Sequence, residues 1–318
     1  MNNFKKQWFL VSLVAAFLAV CLDRTDTLAA VGIYFKSHKA PDAIIFLIFI
    51  ISGLLIDGQQ AKAGLKDFQA TLLALCVIFV IAPIAALLLS FIPMDTGIIV
   101  GLFIVAVMPS TLSSGVVMTG TAGGNMAHAL FVTILSNLIA IFSIPVILGF
   151  LLNFLHQEKS LDIDQLSIIL KLILVVLLPL LIGMVLKAKF FTAAQLKKFK
   201  LQLVNQWTIV GIVFISLGGA KQVLVGKGIE LFYILILTAI FHLILLAGAF
   251  ILVKVFKVGK GRFESIVFMG AQKTLALALM LQVTYFPEFG MALLVCIIHH
   301  IGHLMMDGYL STRMSHNH

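Results

Sequence analysis

Between residues 8 and 305 the chain alternates long apolar runs with short polar connections. About 20 consecutive apolar residues cross the hydrocarbon core of a bilayer as a helix. On that basis the runs at 8–22, 43–56, 68–92, 126–152, 166–186, 207–219, 229–255, 265–285 and 291–305 each read as a helix. One more lies between 96 and 125, because residues 96–157 hold no Lys, Arg, Asp or Glu and are long enough for two spans. The pattern predicts an all-α polytopic membrane protein with ten transmembrane helices. Residues 23–42 read as a polar connection between the first two.

Two of the ten are interrupted. The run 265–285 carries Lys273 in its middle, flanked by Gly270, Gln272 and Thr274. A charge at bilayer depth costs roughly 2.5–3.5 kcal/mol on insertion scales and is tolerated mainly where it faces a polar interior. A helix broken near the midplane accounts for it, and a lysine snorkelling to the interface from a shifted helix is the alternative. The segment 108–115, MPSTLSSG, has a proline that removes a backbone donor, hydroxyls that can satisfy freed groups, and a glycine. It is the second interruption. In each half of five spans the fourth is the broken one, and the motifs MPSTLSSG, from 108, and MGAQKT, from 269, begin 161 residues apart. Five is odd, so the second half must enter the membrane from the opposite side. The reading is one integral membrane domain made of two inverted repeats, 1–156 and 157–318.

Composition agrees. The 318 residues are 61% hydrophobic and 11% charged, far from a soluble domain. The net charge of +9 resides in short loops, where the positive-inside rule explains it and nucleic acid is excluded as a partner. Cytoplasmic segments hold 14 Lys/Arg against 6 outside when both termini are cytoplasmic, the orientation expected in a cell membrane. Cys21, Cys76 and Cys296 are too scattered for a disulfide or metal motif. Residues 1–22 resemble a signal peptide but lack a small-residue cleavage site, so they are kept as a helix. The GTAGG segment at 120–124 is not followed by Gly-Lys-Ser/Thr, which argues against a phosphate loop.

VMPSTLSSGVVMTGTAGGN (107–125), MGAQKTLALAL (269–279) and IIHHIGH (297–303) resemble the bile acid:sodium symporter family, solute carrier family 10. The likeness is strongest to its sodium/bile acid cotransporter 7 branch and bacterial homologues. That resemblance implies a panel of helices 1, 2, 6 and 7 and a core of helices 3–5 and 8–10. In the core, helices 4 and 9 cross at their breaks and form ion and substrate sites. It implies ion ligation by Ser114, Thr133 and Gln272, and substrate contacts from Lys273, Thr274, Ser113, Thr111, His299 and His300. The family glutamate that bridges two sodium ions is here Phe268, its helix 3 glutamine is Ile78, and its helix 9 asparagine is Lys273.

A hard cation prefers several oxygens including a carboxylate, so these replacements set Na+ against H+ as the coupling ion. They also suggest an anionic solute neutralised by Lys273 and by half-helix N-termini. No other cofactor is expected. The reading is a secondary active transporter for an organic anion, with a non-transporting membrane regulator of the same fold as the alternative. A third possibility is that His299, His300, His303 and Asp307 form a zinc site in an intramembrane enzyme, although no HExxH motif is present.

Overall fold

The computed structural model describes residues 4–56, 67–111, 113–155, 164–192, 195–196, 199–224 and 228–316. The regular elements among them are helical. In chain order they are α1 (Phe4–Leu22), α2 (Thr27–Ser37), α3 (Ala40–Leu55), α4 (Phe68–Ser90), α5 (Thr96–Val107), α6 (Ser114–Thr121) and α7 (Met126–Asn153). There follow α8 (Gln165–Phe190), α9 (Leu201–Leu224), α10 (Gly228–Val255), α11 (Arg262–Ala271), α12 (Leu275–Tyr285) and α13 (Gly290–His316).

Seven of the described segments are long and apolar enough to cross a membrane, or eight if α2 and α3, bent by 74° at their junction, make one span. The helices Val11–Leu22 and Thr96–Val107 are apolar but shorter. Several boundaries differ from the sequence reading: the helix expected at 207–219 runs from Leu201 to Leu224 as α9. Residues 27–37, expected inside a polar connection, form α2, and Asp23 and Asp26 ahead of it bind Lys221 of α9. The last helix runs to His316 rather than ending near 305, so Asp307 lies within it.

Caps fix several starts. Asn125 accepts from the His128 N–H at α7, Asp164 from Leu166 and Ser167 at α8, and Asp95 from Gly97 at α5. Two helices contain a π-helical turn, Val77–Ile81 in α4 and Ile173–Leu177 in α8. Each turn is followed by a proline, Pro83 or Pro179. A proline inside a helix clashes with the preceding turn and donates nothing, and the extra residue of a π turn accommodates it.

The helices pack in two groups. One holds α1, α2, α3, α8 and α9, with α3 lying along α8 and α9 against α1, α2 and α3. The other holds α4–α7 and α10–α13, with α5 and α10 against α13 and α11 against α4, α6, α7 and α10. Glycines set the closest approach in the first group: a Cβ on Gly53 would lie 2.2 Å from the Leu180 carbonyl oxygen, and one on Gly183 2.2 Å from that of Ile50. The most enclosed span is Arg262–Tyr285, 89% buried over its apolar window, which puts its interruption deep in the second group.

Candidate functional site

Both interruptions are present, and they meet. α5 stops at Val107 and α6 starts at Ser114, while α11 stops at Ala271 and α12 starts at Leu275. The Thr274 N–H donates to the Pro109 carbonyl at 3.1 Å, joining one break to the other.

Lys273 is 2% exposed, and its ammonium donates to three backbone carbonyls: Ile78 at 3.0 Å, Ala106 at 3.1 Å and Met108 at 3.0 Å. The chain itself creates these acceptors. In the π turn of α4 the Ala82 N–H is spent on Val77, and residue 83, next in line for Ile78, is a proline without an N–H. At the end of α5 the Met108 N–H is spent on Val105, and the residue three beyond Ala106 is Pro109. Helix C-termini leave carbonyls unpaired and carry the negative end of the helix dipole. A buried cation suits that place, and Lys273 supplies it.

This differs from the expected meeting of Lys273 with an anion. All three ammonium hydrogens are committed to carbonyls, and the charge sits at a helix C-terminus.

Gln272 is the second hub. Its Oε1 accepts from Thr111 Oγ1 and Ser114 Oγ, both at 2.8 Å, and its Nε2 donates to Asp307 Oδ2 at 2.9 Å. Thr111 and Gln272 are 161 residues apart, the spacing of the two interrupted motifs. Thr133 Oγ1 donates to the Ala129 and Thr111 carbonyls, and Asn137 Nδ2 to those of Ser110 and Thr133, so α7 staples the first break in place.

Asp307 is fully buried and also accepts from His242 Nε2 at 2.9 Å, with His303 Nδ1 3.9 Å from its other oxygen. His303 Nε2 and His300 Nδ1 share a hydrogen bond of 2.9 Å. His299 packs against the rings of Phe241, His242 and His303. No group of three or more His, Cys, Asp or Glu among the described residues converges on a point that could hold a metal ion, so the expected zinc alternative lacks a geometry.

Thus Thr111, Ser114, Gln272, Lys273 and the Thr274 backbone come together at the crossing, with Thr133 behind them. Ser113 faces elsewhere: it lines a cavity of about 30 Å³ with Ser52, Leu55, Ile56, Leu130 and Asn205, between the two helix groups. A larger recess of about 440 Å³, lined by Leu55, Lys200, Gln202 and Gln206 among others, opens beside it. His299 and His300 lie in the imidazole cluster on α13 and not in that cavity.

Sequence reasoning named Asp307 only in the zinc alternative, gave His242 no role, and did not reach Asn205. Asp307 was placed past the helix end, and Asn205 sits in an ordinary polar helix start. The proline in α4 was the missed signal for the Ile78 carbonyl.

Residues 7–316 match the sequence model of the SBF-like CPA transporter family. The chain belongs to that family. This agrees with the resemblance carried by its motifs. Its relatives include the chloroplastic probable sodium/metabolite cotransporter BASS4 of Arabidopsis thaliana, 27% identical over 83% of this chain and 63% of that protein. The Escherichia coli (strain K12) protein YfeH is 25% identical over 85% of this chain and 82% of its own length. Sodium/bile acid cotransporter 7-A of Xenopus laevis is 26% identical over 67% and 62%. The match spans less than two thirds of the plant and frog proteins. The family and the named cotransporters are carriers, not enzymes.

Sodium does not fit the crossing as it stands. Phe268, fully buried, offers no oxygen, and Ile78 contributes only a carbonyl, already taken by Lys273. The Gln272 oxygen is filled by two hydroxyls. The Asp307 oxygens, which a hard cation would select, are engaged with His242 Nε2 and Gln272 Nε2.

Proposed function

We propose that the chain is a secondary active transporter of an organic anion or related small solute, working by alternating access in a cell membrane with both termini cytoplasmic. On this reading the ten spans are two inverted repeats. The broken pairs α5/α6 and α11/α12 are helices 4 and 9, and the helix group containing α1 is the panel. The observation that carries it is the hydrogen-bonded meeting of two interrupted helices around a buried lysine, the layout in which carriers place their sites.

Lys273 then acts as a tethered cation in the place of a mobile one, holding the crossing charged and closed without Na+. The solute enters between the helix groups, where the Ser113 end of α6 meets Ser52 and Asn205. The Asn205 Oδ1, with no hydrogen-bond partner among the described residues, offers it an acceptor. The cavity there holds about one water, so this conformation is closed around the seat and the recess carrying Lys200 is the approach. The relatives' names specify metabolite and bile acid solutes for those proteins, and taurocholate is therefore a reasonable first probe here.

The test is uptake of taurocholate and a set of smaller carboxylates into proteoliposomes, in NaCl and in choline chloride. Saturable uptake equal in the two salts is the expected result. Binding without uptake would favour the regulator, a reading to which the fully occupied donors of Lys273 also lend weight.

A further inference from the structure

The imidazoles around Asp307 form a buried cluster beside the crossing. Asp307 Oδ1 accepts a hydrogen bond from His242 Nε2, which leaves the His242 Nδ1 lone pair without a donor among the described residues. His303 is placed differently. Its Nε2 is bonded to His300 Nδ1, while its Nδ1, also without a partner, lies 3.9 Å from Asp307 Oδ2. If neutral His303 donates to His300, a ring lone pair faces a carboxylate lone pair across that gap. A proton on Nδ1 turns this into an N–H pointing at an anion, and both ring nitrogens then donate at once.

We propose that His303, held against Asp307, is the proton-carrying group of this protein, so that solute movement is coupled to H+. This rests on the carrier reading above. The proton comes from hydronium on one side of the membrane, forms a bond to the Nδ1 lone pair, and returns to water on the other side. No second reactant is needed.

The surroundings of His303 suit this. The titratable groups around it are His299, His300 and Asp307 on α13, His242 on α10 and Lys273 at the break between α11 and α12. α5 and α6 carry no ionisable residue, and Lys221 of α9 is tied to Asp23 and Asp26. Asp307 is thus the sole acid in this set and sets the charge an imidazolium would balance. His303 is bonded to His300, whose ring stands edge-on to Phe9 of α1 at 6.3 Å, at the boundary between the helix groups. On its other side Asp307 is hydrogen-bonded to Gln272, which holds Thr111 and Ser114 at the crossing. A charge on His303 is therefore felt both at the break and at the boundary between the helix groups.

The experiment uses the purified full-length protein in detergent, without solute. Trp8 of α1 and Trp207 of α9 stack at 5.1 Å beside Phe9 and are the only two tryptophans, so intrinsic fluorescence reports this boundary. Titrated downward from about pH 8.5 across the range in which the protein stays folded, the wild type is expected to show one step, the same in NaCl and choline chloride. His303→Gln should remove the step, and Asp307→Asn should lower its midpoint by about 1–3 pH units through loss of the facing anion. His38→Gln, at an exposed histidine, should leave it unchanged. A flat wild-type trace, a step that survives His303→Gln, or a midpoint that moves with Na+ overturns the proposal. The wild-type salt comparison decides even if a variant fails to fold. Proteoliposomes loaded with pyranine and given taurocholate separate the two readings. A titration step without solute flux leaves His303 in place and removes the carrier, and Na+-driven flux without internal acidification keeps the carrier and removes His303.

Discussion

Replacing Lys273 by alanine removes one cation and leaves three buried acceptors. The carbonyls of Ile78, Ala106 and Met108 lose their partner together, and each unsatisfied buried polar group costs about 1–3 kcal/mol. Against that loss, the variant no longer holds an ammonium in the interior, which relieves several kcal/mol of desolvation. Three orphaned acceptors at that figure amount to roughly 3–9 kcal/mol, so after the relieved desolvation a net destabilisation of about 1–4 kcal/mol is expected. The distinctive consequence concerns salt. If the carbonyls form a cation seat, a free monovalent cation can enter the emptied space, and one present at tenfold its Kd would restore about 1.4 kcal/mol. By ordinary scaling for 318 residues this is a rise in Tm of about 2 °C. Thermal unfolding of Lys273→Ala in ammonium, sodium and potassium chloride against choline chloride reads the effect directly. The wild type should be indifferent to the same exchange. A variant as stable as the wild type, or equal cation responses in both, would refute the tethered-cation argument.

Two further outcomes test the fold around the site. Gly53→Ala places a methyl 2.2 Å from the Leu180 carbonyl and should cost about 1–3 kcal/mol by forcing α3 off α8. Gly211→Ala in α9, where nothing lies within 4 Å, should leave the Tm unchanged or raise it. Asp23, in the turn between α1 and α2, is held at about 2 by the Thr25 hydroxyl hydrogen bond first and then by the Leu28 N–H. Its folded pKa lies below the unfolded one, so the stabilisation is present above the usual carboxylate value of 3.8 and is lost as pH falls from there toward 2. An acid titration of Tm should show that decline, and Thr25→Val should move it to higher pH.

The spans and the interruptions were legible because both follow from side-chain composition. Apolar runs announce a helix in lipid, and Pro109, Gly270 and Lys273 announce where one stops. The cation seat was not legible in the same way, because its ligands are backbone carbonyls whose identity depends on which N–H groups two prolines withhold. A lysine in an apolar run therefore suggested an anion, the partner visible among side chains, when the acceptors lay in α4 and α5, 195 and 167 residues from it. The place of Asp307 inside the last helix was missed for a simpler reason. Hydropathy drops near residue 305 while α13 continues to His316, and a buried carboxylate was mistaken for a boundary residue. α2 was missed because Asp23, Arg24 and Asp26 made its whole neighbourhood look polar, and two of those charges are in fact consumed by Lys221.

Which parts move together can be argued from the same bonds. Lys273 ties α4, α5 and the α11/α12 break through three hydrogen bonds, Gln272 ties that break to α13, and α7 ties the other break through Thr133 and Asn137. Separating any of these elements would leave a charge or several carbonyls unpaired in an apolar interior, at a cost of several kcal/mol. The boundary with α1, α3 and α9 carries a different kind of contact. Among the described residues Ser52 bonds within its own helix, Asn205 Oδ1 has no partner, and His300 meets Phe9 edge to ring, while one hydroxyl pair, Ser167 of α8 with Tyr285 of α12, crosses at 3.2 Å. Little polar bonding is lost when that boundary shifts. The low-cost motion is therefore a displacement of the whole crossing, with its lysine and its imidazoles, against the α1–α3 and α8–α9 group, which is the motion alternating access requires.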